Sequence, residues 1–183
     1  MDTSNVSHAA GKCENRALVS ATDDLLRNNE AFAERFDDGD APARPAKRIA
    51  VVACMDARVN PFAILGLEPG DAHVIRNAGG VITDDEIRSL AISQRLLGTE
   101  EVVLIHHTGC GMLGLSDEEF KRQVREDAGV EPPWPVGGFD DLEESVRRSI
   151  ERIRTSPFLP HKDSVRGFVY DVRTGRLSEV TAT

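Results

Sequence analysis

The segment Ile49–Pro61 constrains this chain most, because an apolar run ends there abruptly in three reactive side chains. Its sequence is IAVVACMDARVNP. A short apolar run rich in β-branched residues is typical of a buried parallel strand. Cys54, Asp56 and Arg58 follow at alternate positions, so an extended chain would present all three on one side. Sites in open α/β sheets form at the carboxyl ends of strands. We therefore expect a thiol, a carboxylate and a guanidinium to share a site at this strand end.

A second apolar run lies further along the chain and ends in a second pair of metal-binding side chains. It reads VVLIHHTGCG, and it places His107 and Cys110 at its end. With Cys54 these residues make a Cys₂His set, which zinc accepts, and three protein ligands with an open fourth position are typical of a catalytic site. Each residue alone could instead be a buried packing residue. Their occurrence together at two predicted strand ends favours one zinc ion per chain.

Three motifs in this order resemble the β-class carbonic anhydrases, most of all the short branch found in archaea and some bacteria. They are CMDAR, VIRNAGG and HHTGCG, which begin at Cys54, Val74 and His106. The resemblance runs from about Asp24 to the end of the chain. It implies a lyase that catalyses the reversible hydration of carbon dioxide to bicarbonate and a proton, by attack of zinc-bound hydroxide. It also implies that an N-terminal helix embraces a neighbouring subunit.

Four further residues are candidates for catalysis and substrate binding. Asp56 can accept a hydrogen bond from the attacking hydroxide and so orient it, and Arg58 can hold that carboxylate through a bidentate pair. The resemblance supports this pair residue by residue, because the Cys-x-Asp-x-Arg motif is intact. Arg76 adds positive charge nearby, and we expect Arg76 and Gly111 to line the substrate site. In some members of the family the aspartate itself binds zinc, and the sequence leaves both states open.

Two alternative functions fit the same residues. The first is a hydrolase of carbonyl sulfide or carbon disulfide on the same scaffold, which the sequence barely distinguishes from carbon dioxide hydration. The second is a zinc-binding or thiol-sensing protein without enzymatic activity, in which Asp56 would close the site as a fourth ligand. The presence of Arg58 as a partner for that carboxylate argues against the second alternative.

Composition limits the compartment and the partners. The chain has 183 residues and a net charge of −9, so nucleic acid is not an expected partner. Three cysteines, two of them assigned to the metal site, argue against a disulfide framework and favour the cytoplasm. Residues 1–16 lack the apolar segment of a secretory signal, and no apolar run reaches membrane-spanning length. We expect residues 1–20 to be a disordered extension and residues 21–183 to form one zinc-binding domain.

The order of apolar patterns predicts an α/β fold. It has a mostly parallel sheet of about five strands with helices on both faces, and a hairpin over residues 173–176 makes the last strand antiparallel. Thr83 with Glu86 and Ser116 with Glu119 predict capping boxes at two helix starts.

An amphipathic helix is predicted ahead of the first strand, beginning at Thr22. Its apolar face carries Leu25, Leu26, Phe32 and Phe36, and such a face needs a partner. We therefore expect a homodimer, which could pair further into a dimer of dimers.

Overall fold

The structure is a computed structural model that describes residues 20–37 and 39–181. Two compact units divide the chain, Met1–Ala41 and Pro42–Thr183. The predicted N-terminal extension lies outside the described residues except for Ser20, and Cys13 lies outside them too. The single domain over residues 21–183 therefore stays a prediction. In the described ranges, no helix combines the length and the apolar character needed to cross a membrane.

The first unit contributes one described helix, α1 (Ala21–Ala33). A reciprocal capping box between Ser20 and Asp23 fixes its beginning. No residue of α1 is buried. The large apolar side chains of this segment are exposed by more than half, namely Leu25 (67%), Leu26 (58%), Phe32 (56%) and Phe36 (52%). The predicted amphipathic helix is confirmed, but it ends at Ala33, so Phe36 lies beyond it.

The second unit is built on a five-stranded sheet. Its strands are β1 (Ile49–Cys54), β2 (Ala72–Asn77), β3 (Glu101–His107), β4 (Val165–Tyr170) and β5 (Leu177–Val180). The spatial order is β2-β1-β3-β4-β5. The first three pairings are parallel, and β4 pairs with β5 in the antiparallel direction. The predicted fold class is therefore confirmed. Since β1 and β3 are parallel neighbours, their carboxyl ends lie side by side.

Helices cover both faces of this sheet. The helices that pack on it are α2 (Pro61–Leu65), α3 (Asp84–Leu97) and α5 (Leu142–Thr155). A 3₁₀ turn covers Ala78–Gly80, and α4 (Asp117–Ala128) has no buried residue. On one face, the buried side chains of β1 and β3 pack with Leu90 of α3 and with Val146 and Ile150 of α5. On the other face, Val51 and Ile105 pack against residues of α2. Each strand of this centre is buried on both sides, as its uninterrupted apolar sequence predicts.

Of the two predicted capping boxes, one forms completely and the other forms only in part. The capping box of Thr83 and Glu86 is complete. At α4 only half of the predicted box forms: the Ser116 hydroxyl accepts the Glu119 amide, but the Glu119 carboxylate binds side chains within the helix, Arg122 and Gln123. A charge-assisted pair with an arginine one turn away is stronger than a bond to a neutral amide, and so it captures that carboxylate.

Candidate metal centre

Cys54, His107 and Cys110 meet at the carboxyl ends of the two central strands. Cys54 is the last residue of β1, His107 is the last residue of β3, and Cys110 lies in the turn that follows β3. Their candidate ligand atoms all lie within 4.8 Å of one another, and all three residues are buried. The two sulfur atoms are 3.9 Å apart. The parallel pairing of β1 with β3 therefore brings together the three residues that the sequence pattern grouped.

The His107 ring is oriented so that one nitrogen is free to bind a cation. Its Nδ1 lies 3.0 Å from the Thr108 carbonyl oxygen. A carbonyl only accepts, so Nδ1 carries the proton and Nε2 presents a lone pair. That Nε2 is buried and has no hydrogen-bond partner among the described residues. A buried acceptor without a partner is costly, and a metal ion would satisfy it.

The sulfur atoms also fit a divalent cation. Two thiolates on one tetrahedral zinc ion, each at about 2.3 Å, would lie about 3.8 Å apart, close to the 3.9 Å seen between Cys54 and Cys110. Burial raises the pKa of the Cys110 thiol to about 11. A thiolate is therefore unfavourable there unless a cation compensates its charge. The donor set fits zinc, because this ion accepts mixed sulfur and nitrogen ligands.

Asp56 and Arg58 form a bidentate pair at the rim of this cluster. Arg58 Nε donates to Asp56 Oδ1 at 2.9 Å, and Nη2 donates to Oδ2 at 2.7 Å. The chain does not stay extended here, as the alternation argument assumed. It turns after β1, and the Val59 amide donates to the Asp56 carbonyl oxygen at 2.9 Å. The turn lets the Arg58 amide donate to the same carboxylate at 2.9 Å. The two side chains therefore meet because the backbone turns between them.

This pair links the two halves of the site. Arg58 Nη2 also donates to the Gly109 carbonyl oxygen at 3.0 Å, in the turn that carries Cys110. Asp56 Oδ2 lies 3.7 Å from His107 Nε2. Hydrogen bonds from Arg58 hold the pKa of Asp56 well below its ordinary value. The carboxylate is therefore ionised at neutral pH and lies beside the nitrogen that is free for a metal.

The two predicted substrate residues occupy different positions. The Arg76 guanidinium binds backbone oxygens behind the cluster: Nε and Nη2 donate to the Cys54 carbonyl at 3.1 and 2.9 Å, and Nη2 donates to the Asp56 carbonyl at 2.7 Å. This arrangement fixes the start of the loop after β1. Gly111 is exposed beside Cys110. Their roles in substrate binding stay predictions.

Three residues next to the cluster make contacts that the sequence did not predict. His106, interpreted from sequence as a packing residue, is fully buried and its Nε2 lies 3.0 Å from the Gly80 carbonyl oxygen. Burial lowers the pKa of this histidine to about 4, so it is neutral. Asn77 donates to the Val81 carbonyl oxygen at 2.7 Å. Phe139 packs with both cysteines. In the sequence, only the neighbouring His107 pointed to His106. No local pattern marks Phe139, which comes from a distant loop.

Comparisons with known proteins identify the family of the chain. Residues 49–132 match the family model described as carbonic anhydrase. The β-carbonic anhydrase 1 of Mycobacterium tuberculosis is 53% identical over 163 residues, which cover 89% of this chain and 99% of that protein. A carbon disulfide hydrolase of Acidithiobacillus thiooxidans is 35% identical over 152 residues, covering 72% of this chain and 76% of that protein.

A solved structure gives the same result for the fold. The carbonic anhydrase from Streptococcus mutans superposes with a TM-score of 0.83 at 42% identity, covering 88% of this chain and 98% of that one. High identity extends over nearly the whole length of the mycobacterial protein. The chain therefore belongs to the β-carbonic anhydrase family.

Proposed function

We propose that this protein catalyses the reversible hydration of carbon dioxide to bicarbonate and a proton, as a zinc enzyme with one ion per chain. The observation that carries the proposal is the cluster of Cys54, His107 and Cys110 beside an ionised Asp56. Three ligands of this type leave a coordination position free for chemistry. The family to which the chain belongs supports the same reaction.

Zinc is the metal that these residues suit best. Cys54 and Cys110 would supply two sulfur ligands and His107 would supply Nε2. When bound, zinc acts as a Lewis acid that lowers the pKa of water and so makes a nucleophile available near neutral pH. Two thiolates donate more charge than imidazoles do, so the protein must provide further help to the nucleophile.

Asp56 provides that help through one particular oxygen. Oδ1 already accepts two N–H groups from Arg58, whereas Oδ2 accepts only the bond from Nη2. A carboxylate oxygen has two lone pairs, so Oδ2 has room for one more donor. It also lies 3.7 Å from His107 Nε2. We assign Oδ2 the role of accepting a hydrogen bond from the attacking water. This bond turns a lone pair of the water toward the substrate.

The apolar side of the cluster suits the substrate. Phe139 packs against Cys54 and Cys110, and the partly buried side chains of Val81 and Met112 extend the same surface. Carbon dioxide has no net charge and no dipole, so it loses little on leaving water for such a surface. Bicarbonate carries a charge and is poorly held there. The surface therefore favours entry of the substrate and departure of the product.

The position of Asp56 favours an open site over a site that it closes. Both carboxylate oxygens are bound by Arg58, which is itself tied to Gly109. Moving Asp56 onto the metal would shift the carboxylate from the position in which Arg58 and Gly109 hold it. The zinc-sensor alternative needs that closed state and is not favoured. The sulfur-substrate alternative is not favoured either, because the carbon disulfide hydrolase is 35% identical and the β-carbonic anhydrase is 53% identical.

A direct assay tests this proposal. We expect zinc-loaded protein to hydrate carbon dioxide in a stopped-flow experiment with a pH indicator, and to turn over carbonyl sulfide and carbon disulfide much more slowly. Asp56→Asn is the matched control, since it keeps the shape of the side chain but removes its charge. Protein with one zinc per chain and no hydration activity would contradict the proposal.

We also propose that the protein is a cytoplasmic homodimer in which α1 packs on a second copy. The support is the exposed apolar side chains of α1, together with Phe36 just after its end. The rings of Phe32 and Phe36 lie with centroids 5.5 Å apart. Deleting residues 1–38 should give aggregates or an inactive monomer, as measured by light scattering and the hydration assay. A fully active monomer, from either the whole or the shortened chain, would exclude this role of α1.

A further inference from the structure

The turn Ala78–Val81 crosses the carboxyl end of β1 at very short range. Gly80 has a φ of +70°, and a Cβ added to it would lie 2.8 Å from the Cys54 amide nitrogen and 3.0 Å from the Ile105 carbonyl oxygen. Gly79 also has a positive φ, and a Cβ there would lie 3.3 Å from the Phe139 ring. The turn therefore rests on the backbone of Cys54 and on the aromatic ring that packs against both cysteines.

Two side chains from the neighbouring strands hold this turn in place. Asn77, at the end of β2, donates from Nδ2 to the Val81 carbonyl oxygen at 2.7 Å. His106, on β3, lies with Nε2 at 3.0 Å from the Gly80 carbonyl oxygen. Since that oxygen only accepts, His106 must carry its proton on Nε2. Successive carbonyls of the turn are thus bound from the strands on either side of β1.

Among the described residues, the hydrogen bonds of these two side chains go to the turn alone. His106 is fully buried, and its Nδ1 has no hydrogen-bond partner in the part of the chain that the structure describes. The same holds for Asn77 Oδ1. Leaving buried polar atoms unpaired costs stability, so packing alone would favour an apolar residue at position 106. A polar residue there has a clear use only through its bond to Gly80.

We propose that Asn77 and His106 are positioning residues that press the Ala78–Val81 turn onto Cys54 and so set how tightly the site binds its metal. Neither contacts the reacting atoms. They act through the turn, which packs closely on the backbone of Cys54 and on the Phe139 ring. Phe139 in turn packs against Cys54 and Cys110. The inference rests on the proposed zinc site, and it assigns these two residues a role in metal retention.

The test is zinc affinity of the full-length protein, measured by competition with a chromophoric chelator. His106→Leu and Asn77→Ala remove one donor each, and we expect each to weaken zinc binding about tenfold, the usual size of an effect from residues that support ligands. His106→Gln keeps an N–H near the position of Nε2 and should restore most of the affinity. The thiolate absorption bands of cobalt-substituted protein should be altered in the first two variants and restored in the third.

Ile153→Ala is the matched control. It creates a cavity in the hydrophobic core, where α5 packs on the sheet, and it leaves the turn unchanged. It should unfold at lower urea concentration yet bind zinc as the natural protein does. Equal loss of affinity in Ile153→Ala and His106→Leu would overturn the proposal, as would normal affinity in His106→Leu or failure of His106→Gln to restore binding. If His106→Leu does not fold, Asn77→Ala decides by the same criteria. Natural protein that binds no zinc would overturn the proposed function as well.

Discussion

Replacing Gly80 with alanine measures how closely the turn must lie on the central strands. The substitution has two separable costs. The φ of +70° lies in the left-handed region, which an L-residue with a Cβ occupies at a cost of about 1–2 kcal/mol. The new methyl group would also lie 2.8 Å from Cys54 N and 3.0 Å from Ile105 O. Both atoms belong to the backbone of buried strands, so neither can move aside without disturbing the sheet.

The expected loss follows from these two costs. Overpacking of a well-packed core typically costs about 1–3 kcal/mol. Together with the cost of the backbone conformation, this lowers the free energy of unfolding by about 2–5 kcal/mol. Gly98→Ala is the matched control. Gly98 has a φ of +75°, but a Cβ there meets nothing within 4 Å. It should therefore lose only the cost of the backbone conformation, about 1–2 kcal/mol.

Urea unfolding of both variants, with and without zinc, separates the two contributions. We expect Gly80→Ala to lose more stability than Gly98→Ala, and we expect only Gly80→Ala to bind zinc more weakly in the chelator competition. The second result would follow because the Cys54 amide is displaced. Equal losses of stability in the two variants, with equal zinc affinity, would refute the close contact between the turn and β1.

Three further predictions concern the metal and the ion pair. Cys54→Ser and His107→Ala should each lose zinc, as measured by atomic absorption on purified protein, and full retention in either would remove that residue from the ligand set. Arg58→Ala should keep zinc but lose most hydration activity, because the freed Asp56 carboxylate can bind the metal; a normal cobalt spectrum with normal turnover would contradict this. Since Arg58 lowers the pKa of Asp56, the ion pair stabilises the protein above the ordinary carboxyl pKa of about 3.9 and is lost only as the pH falls through the lowered value. Asp56 should therefore add no titration of its own to the hydration profile between about pH 5 and pH 9. Asp56→Asn should reduce hydration, and a titration step of the natural protein that disappears in this variant would show that Asp56 titrates in that range.

The sequence predicted the metal cluster because the relevant geometry is regular. Buried parallel strands are readable as apolar runs, and parallel neighbours end at the same edge of a sheet. Cys54 and His107 each end such a run, so their proximity needs only the pairing of β1 with β3. The identity of the residues then indicates the metal. Only the place of Cys110, in the turn after β3, depends on loop conformation.

The parts that the sequence did not predict depend on backbone carbonyl groups. Arg76 carries positive charge, but its hydrogen bonds go to the oxygens of Cys54 and Asp56. Every residue has a carbonyl, so no residue type marks such a partner. The bond from His106 to Gly80 has the same character. The turn after β1 was missed because the alternation of Cys54, Asp56 and Arg58 fits an extended chain equally well.

A backbone carbonyl group also explains why a single arginine, Arg58, can contact both halves of the site. Arg58 uses Nε and Nη2 for the two oxygens of Asp56, and Nη2 also reaches the carbonyl of Gly109, one residue before Cys110. The position of the orienting carboxylate is therefore tied to the turn that presents a sulfur ligand. A lysine has the charge but no planar fork, so it could not hold both carboxylate oxygens and the carbonyl in one fixed geometry. The Asp56–Arg58 pair therefore requires an arginine, because Nη2 must also reach the Gly109 carbonyl in the turn after β3.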